Sequence, residues 1–159
     1  GFAVSIGHSA GVTGGSDTSV NVKYADLIDG LTLSAGKSDS NTSQANGTEE
    51  TSLSASYAIG GVTIGYTDFS ADDDAASGTD YDGRHWGISF AVNDDLTVSY
   101  DVSKSDKSST SVDEEISSIQ ASYTMGSMTI AAHITKGDNE AFVSGAEDNA
   151  KAVAVSWSF

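Results

Sequence analysis

Along almost the whole chain apolar and polar residues alternate with a period of two, Val, Ile, Thr, Tyr and Phe are enriched, and no run shows helical spacing. The alternation predicts ten β-strands with cores near residues 2–9, 18–25, 31–38, 51–58, 62–69, 84–91, 96–103, 116–124, 128–135 and 150–159. Tight turns rich in Gly, Asp and Asn fall at 26–30, 59–61, 92–95 and 125–127, and long connections at 10–17, 39–50, 70–83, 104–115 and 136–149. Because the two kinds alternate, each is expected to collect at its own end of an antiparallel sheet. Eight-residue cores are shorter than the roughly 9 to 11 residues of a tilted membrane-spanning strand. The strands are therefore expected to run on into the long connections.

A repeat lies over this pattern. Tyr24, Tyr57, Phe90 and Tyr123 recur every 33 residues, each just before a short turn, and Trp157 follows 34 residues after Tyr123. One repeat is one hairpin plus one long connection. Parity then separates two chemistries. Val153, Val155, Trp157 and Phe159 oppose Ala152, Ala154, Ser156 and Ser158, and Leu96, Val98, Tyr100 and Val102 oppose Thr97, Ser99, Asp101 and Ser103. One face is greasy and the other is small and polar. In a soluble sandwich the polar face would carry many Lys and Glu, whereas here charge gathers in the long connections. The aromatics Phe2, Tyr24, Tyr57, Phe90, Tyr123, Trp157 and Phe159 cluster at the short-turn ends of the greasy face, as an interfacial girdle does. They are expected to lie at nearly one height. Such a sheet must close or gain a second layer, because open edges in lipid leave backbone groups unpaired.

Composition narrows the class. With 159 residues, one domain over 1–159 suffices. A formal charge of −16 with only seven scattered Lys and Arg argues against a nucleic-acid partner. No stretch approaches the roughly 18 apolar residues of a transmembrane helix, but a barrel exposes only every second residue to lipid. Cys is absent, which removes disulfides and Cys-based metal sites. Gly1 opens straight into the pattern, so any signal peptide is expected to be removed or to lie upstream.

Chemistry-bearing residues are sparse. His8, His85 and His133 stand on different strands without His-x-x-x-His spacing. Gly7-His8-Ser9-Ala10-Gly11 matches the Gly-x-Ser-x-Gly elbow by letters, but Val12-Thr13-Gly14-Gly15-Ser16 cannot start the helix that the elbow needs. No catalytic, cofactor or metal residue is therefore assigned, and no enzyme activity is expected. By parity Lys23, His85, Asp101, Gln120 and His133 are candidates for lining a lumen. Acidic residues crowd three long connections: Asp72, Asp73, Asp74, Asp80 and Asp82 in one, Asp113, Glu114 and Glu115 in the next, and Asp138, Glu140, Glu147 and Asp148 in the third. They form either a solvated surface that holds loosely bound divalent cations among lipopolysaccharide, or a vestibule that enriches cations at a pore mouth. Asp80-Tyr81-Asp82-Gly83 resembles the end of a calcium loop, but Gly78 stands where the first acidic ligand belongs, which leaves diffuse attraction.

With its terminal strand Ala152-Val153-Ala154-Val155-Ser156-Trp157-Ser158-Phe159, short turns, long acidic connections and Gly- and Ala-rich strands, the chain resembles the general bacterial porins, in style those of alphaproteobacteria. The resemblance implies an all-β, antiparallel up-and-down transmembrane β-barrel in the outer membrane, typically sixteen-stranded and homotrimeric. It also implies a passive channel for small hydrophilic solutes and ions that touches outer-membrane lipid and lipopolysaccharide; a preference for cations is expected only on the vestibule reading of the acidic connections. Sixteen strands of this repeat need about 270 residues, so ten strands are expected to be the C-terminal portion of such a barrel. The family's constriction loop follows an early strand, so no constriction residue is assigned. Two alternatives stay open: a small ten-stranded barrel that pairs strand 2–9 with strand 150–159, and a structural or adhesive surface protein of stacked hairpins.

Overall fold

The computed structural model describes residues 1–10, 15–41, 47–75 and 78–158. Ten strands follow in chain order: β1 (Phe2–Ala10), β2 (Ser16–Ala25), β3 (Leu31–Asn41), β4 (Gly47–Ile59), β5 (Val62–Asp73), β6 (Tyr81–Ala91), β7 (Leu96–Lys107), β8 (Glu114–Met125), β9 (Met128–Asp138) and β10 (Glu147–Trp157). Each pairs antiparallel with its chain neighbours, giving one up-and-down sheet. Hairpins thus join edge to edge, and the stacked arrangement is not formed. Among the described residues β1 and β10 are the two free edges, so these ten strands form an open sheet and not a closed ten-stranded barrel.

The short-turn end follows from local stereochemistry. Ile59 pairs with Val62 and Met125 with Met128, so both loops have two residues. Gly60 (φ 57) and Gly126 (φ 59) supply the positive φ that the first position of a II′ hairpin requires. The Asn93 side chain caps the β6–β7 turn by accepting from the backbone N–H groups of Asp95 and Leu96, both at 2.9 Å.

At the other end the strands run further than their apolar cores. β4 reaches 13 residues and β5, β7 and β8 reach 12, so the long connections contract to 11–15, 42–46, 74–80, 108–113 and 139–146. A ladder needs backbone hydrogen bonds and not apolar side chains, so it continues through Ser, Thr, Asp and Glu. This corrects the loop assignment for Asp72, Asp73, Asp82, Glu114, Glu115, Asp138, Glu147 and Asp148, which lie in strand ends. Asp74, Asp80 and Asp113 remain in connections, and Glu140 begins an unanticipated single 3-10 turn, Glu140–Phe142.

The sheet has almost no core of its own. Val102 is the one buried hydrophobic residue among those described, while Leu53, Val153 and Trp157 are 63%, 72% and 59% exposed. A greasy face this bare is stable only against another apolar phase.

Candidate functional site: the polar face and its outer mouth

Cross-strand register places Lys23, Ser34, Ser54, Thr67, His85 and Ser103 in one row on the small polar face. Asp101 stands opposite Gly87 and Ser118 on that face, and Gln120 opposite Ser99 and His133. All five candidate lumen residues thus share a face, and four of them meet. Gln120 Nε2 donates to Asp101 Oδ2 at 3.1 Å, His85 Nε2 lies 3.6 Å from Asp101 Oδ1, and His133 is the partner across from Gln120. Lys23 stands apart on β2. Gly87 makes room for the group: a Cβ there would lie 3.3 Å from that of Asp101. Around it, hydroxyl side chains satisfy one another, as where Thr67 donates to Ser54 at 3.0 Å. The result is an open depression of about 300 Å³ lined by Thr32, Ser34, Ser54, Thr67, His85 and Asp101.

Among the described residues no three of His, Asp and Glu gather as metal ligands. His8 and Ser9 are consecutive in a strand and project to opposite faces. The His8 ring meets Thr18 at 3.3 Å, and the Ser9 hydroxyl donates to Asp17 at 3.1 Å. The Gly-x-Ser-x-Gly letters therefore hold no Ser–His pair, and Gly11 lies outside the described residues.

On the greasy face, Tyr57, Phe90, Tyr123 and Trp157 stand opposite Leu31, Val62, Leu96 and Met128, each the first residue of its strand. Tyr24 stands opposite Phe2, with ring centroids 6.3 Å apart. These six aromatics thus follow the short-turn rim, while Phe159 lies outside the described residues. Parity puts Tyr100 on this face, and the structure sets Trp86 beside it: Tyr66, Trp86 and Tyr100 project from the same face four residues further along, with Trp86 and Tyr100 edge to face at 5.6 Å.

At the end away from the short turns, the acidic residues divide between the two faces. Of the eight acids in strand ends, Asp73, Glu114 and Asp148 take polar-face parity, whereas Asp72, Asp82, Glu115, Asp138 and Glu147 take greasy-face parity. Their negative charge is divided between the faces. Asp80 accepts from the backbone N–H of Asp73 at 3.1 Å, and Asp73 from that of Ala75 at 2.9 Å, so these two carboxylates are occupied in shaping their connection. Of the calcium-loop letters Asp80-Tyr81-Asp82-Gly83, Asp80 is held by the Asp73 N–H and Asp82 lies in β6, and among the described residues no third carboxylate or His gathers with them as a cation site.

What does reach across the polar face is the last connection. Asn139, Ala141 and Phe142 have φ of 55°, 55° and 61°, strained for non-glycine residues. The strain is held by named contacts. Asn139 Nδ2 donates to the Asp113 carbonyl and Asn139 Oδ1 accepts from the N–H of Gly145, both at 2.9 Å; Glu114 accepts from the N–H of Ala141 at 3.1 Å. Phe142 then packs against Tyr81 at 5.9 Å, and Lys107 Nζ lies over both rings, 5.5 Å from the Tyr81 centroid and 5.8 Å from that of Phe142. On the same face Phe69 of β5 lies across Gly83, where a Cβ would come within 2.2 Å of its ring. No periodicity reveals these contacts, because they join residues far apart in sequence.

A single up-and-down sheet with one lipid-compatible face and one hydroxyl-lined face defines the wall of an outer-membrane β-barrel. A family model described as Gram-negative porin matches residues 1–141, and the chain belongs to that family. Its place is the bacterial outer membrane. No curated protein matches it by sequence. Among solved structures it is similar to OmpT of Vibrio cholerae, an outer membrane protein. The loop L8 deletion mutant matches at TM-score 0.72, with 17% identity over 97% of this chain and 58% of that one; the in-vitro folded form matches at 0.69, with 17% identity over 97% and 57%. CdiB from Acinetobacter baumannii matches at 0.53, with 12% identity over 97% of this chain and 33% of that one. At these identities the likeness shows the fold alone. The chain spans 57–58% of the length of the OmpT forms.

Proposed function

We propose that this chain forms part of the wall of a passive aqueous channel for small hydrophilic solutes, within a barrel of about sixteen strands. The observation that carries the reading is the polar face: Ser, Thr, Gly and Ala with a few exposed ionisable groups, a lining that leaves a lumen open to water. Two further observations support the strand number. The free edges of β1 and β10 must be paired before the sheet can sit in lipid, and about 270 residues, the length that sixteen strands of this repeat require, is close to that of a chain of which this one covers 57–58%. One OmpT structure is described as a trimer form, which supports a homotrimer here. Transport follows from pore width and lining charge; no reaction and no resident cofactor are needed, and divalent cations bind loosely at the acidic mouth. The Asp101 carboxylate and the inward-facing Asp73, Glu114 and Asp148 give a modest preference for cations.

The test is planar-bilayer recording of the purified full-length protein. Step-like, ohmic conductance with a reversal potential of cation-preferring sign is expected in a salt gradient. Electrically silent bilayers containing folded protein would sink the channel reading.

A further inference from the structure

Small hydroxyl residues cover most of the polar face, and one bare ring breaks the pattern. Only two aromatic residues of the described strands take polar-face parity, Phe69 and Tyr81. Tyr81 is covered by Phe142 and Lys107, whereas among the described residues no other ring stacks on Phe69. The Phe69 ring lies down over Gly83 of β6, which is buried, and itself stays half-buried. An aliphatic side chain would suffice to cover Gly83. An aromatic one leaves a flat apolar surface on a wall that meets water.

Polar groups converge beside that ring. Pairing sets Asn21, Gly36, Ser52 and Phe69 in one row, and Ser19, Ser38, Glu50 and Ala71 in the next. Asn21 and Ser52 lean over Gly36 from its two sides: a Cβ there would lie 2.5 Å from Asn21 Oδ1 and 2.9 Å from Ser52 Oγ. Asn21, Glu50 and Ser52 are exposed, and Ser38 donates to Glu50 at 2.9 Å, which orients the carboxylate. The two rows line an open depression of about 610 Å³ that Phe69 borders, within the size range of small-molecule sites. The titratable groups around it are engaged elsewhere or stand apart. Asp17 accepts from Ser9 and Ser40, Asp73 from the N–H of Ala75, His85 lies beside Asp101, and Lys23 is two residues from Asn21. Glu50 therefore brings the one charge into a site otherwise made of neutral donors, neutral acceptors and a ring.

We propose that this depression is a subsite for a neutral pyranose sugar, a deepening of the channel reading on which it rests. A pyranose presents one face of C–H groups and a rim of vicinal hydroxyls. The C–H face lies on the Phe69 ring, whose negative π-face attracts the weakly positive hydrogens. The rim hydroxyls donate to Glu50 and to the Asn21 carbonyl oxygen, and accept from the Asn21 amide and the Ser52 hydroxyl. An open-chain polyol offers the same hydroxyls without the rigid apolar face. So few contacts on an open wall hold a sugar weakly, and a solute must leave a channel as readily as it enters.

The experiment is saturation-transfer NMR on the purified full-length protein in a sugar-free amine-oxide detergent, with D-glucose or the open-chain hexitol sorbitol as the probe. Saturable binding of D-glucose is expected, with sorbitol bound at least about threefold more weakly. Phe69→Leu, which keeps Gly83 covered, is expected to weaken glucose binding about threefold to tenfold and Glu50→Gln about threefold, while Ser122→Ala on β8 leaves it unchanged. Equal binding of the two probes, undiminished binding by Phe69→Leu, or no saturable glucose binding would each overturn the proposal. Heat-modifiable migration on a detergent gel reports folding of every variant, and if Phe69→Leu does not fold, Glu50→Gln and the comparison of probes decide. Bilayer recording of the intact protein separates the two readings. Ohmic conductance without glucose binding overturns the subsite alone, whereas folded protein that leaves bilayers silent overturns the channel reading and the subsite with it.

Discussion

The two rims of the sheet are built on different terms. At the short-turn rim backbone sterics decide: two-residue loops, positive-φ glycines and aromatics set opposite strand starts leave one arrangement open. At the other rim strands run on through polar sequence, charge splits between faces, and a strained connection is held down by contacts to β6, β7 and β8. A rim fixed by local geometry tolerates little substitution. A rim fixed by side-chain contacts can be loosened piece by piece.

One glycine from each rim gives the largest contrast. Gly30 has φ 80, and a Cβ there would stand 2.0 Å from the Ala58 carbonyl oxygen, so both its conformation and its space are closed to other residues. Gly30→Ala is expected to destabilise by roughly 3–5 kcal/mol. Gly145 has φ 77 but no atom within 4 Å, so Gly145→Ala carries only the conformational cost, about 1 kcal/mol. Denaturant midpoints of the heat-modifiable form measure both. Equal losses would erase the distinction between the rims.

Between the rims, the comparison presumes a band that meets lipid. Val153 and Ala154 are consecutive and exposed on opposite faces of β10. Val153→Arg is expected to cost about 2–4 kcal/mol in a lipid bilayer and Ala154→Arg less than about 1 kcal/mol. If the two cost the same, the greasy face does not contact hydrocarbon.

The same division explains what the sequence made legible. All ten strands, both faces and the rim of Tyr24, Tyr57, Phe90, Tyr123 and Trp157 follow from a period of two and a repeat of 33, which are local signals. The grouping of His85, Asp101 and Gln120 was half legible: parity gave the face, but the contacts depend on register across three strands. The acidic strand ends were misread because polarity was taken as the mark of a loop. Phe142 on Tyr81 beneath Lys107 left no trace, since 61 residues separate the two rings in the chain.

That long-range contact yields the next effect in size. Phe142→Ala removes one aromatic pair and one of two cation–π partners, worth together about 1–2 kcal/mol. Connection 139–146 should then leave the polar face more often, seen as faster proteolytic cleavage there and a higher single-channel conductance. Unchanged values for both would mean that the connection does not narrow the mouth.

The smallest effect belongs to Asp101, and its sign follows from its place. The carboxylate is about one-quarter exposed, accepts from Gln120 and has His85 within 3.6 Å, so its charge is partly balanced by neighbours before it reaches water. Two unit charges 4 Å apart interact by about 1 kcal/mol in water, and less once salt screens them. Asp101→Asn keeps the shape and the Gln120 contact while removing the negative charge, so cations should be enriched less beside the wall. The ratio of cation to anion permeability is therefore expected to fall by less than about twofold, with conductance nearly unchanged. Reversal potentials in a salt gradient measure it, and raising the salt should shrink the difference further. A rise in the ratio, or a shift that salt leaves intact, would mean that Asp101 acts through the arrangement of His85 and Gln120 and not through its own field.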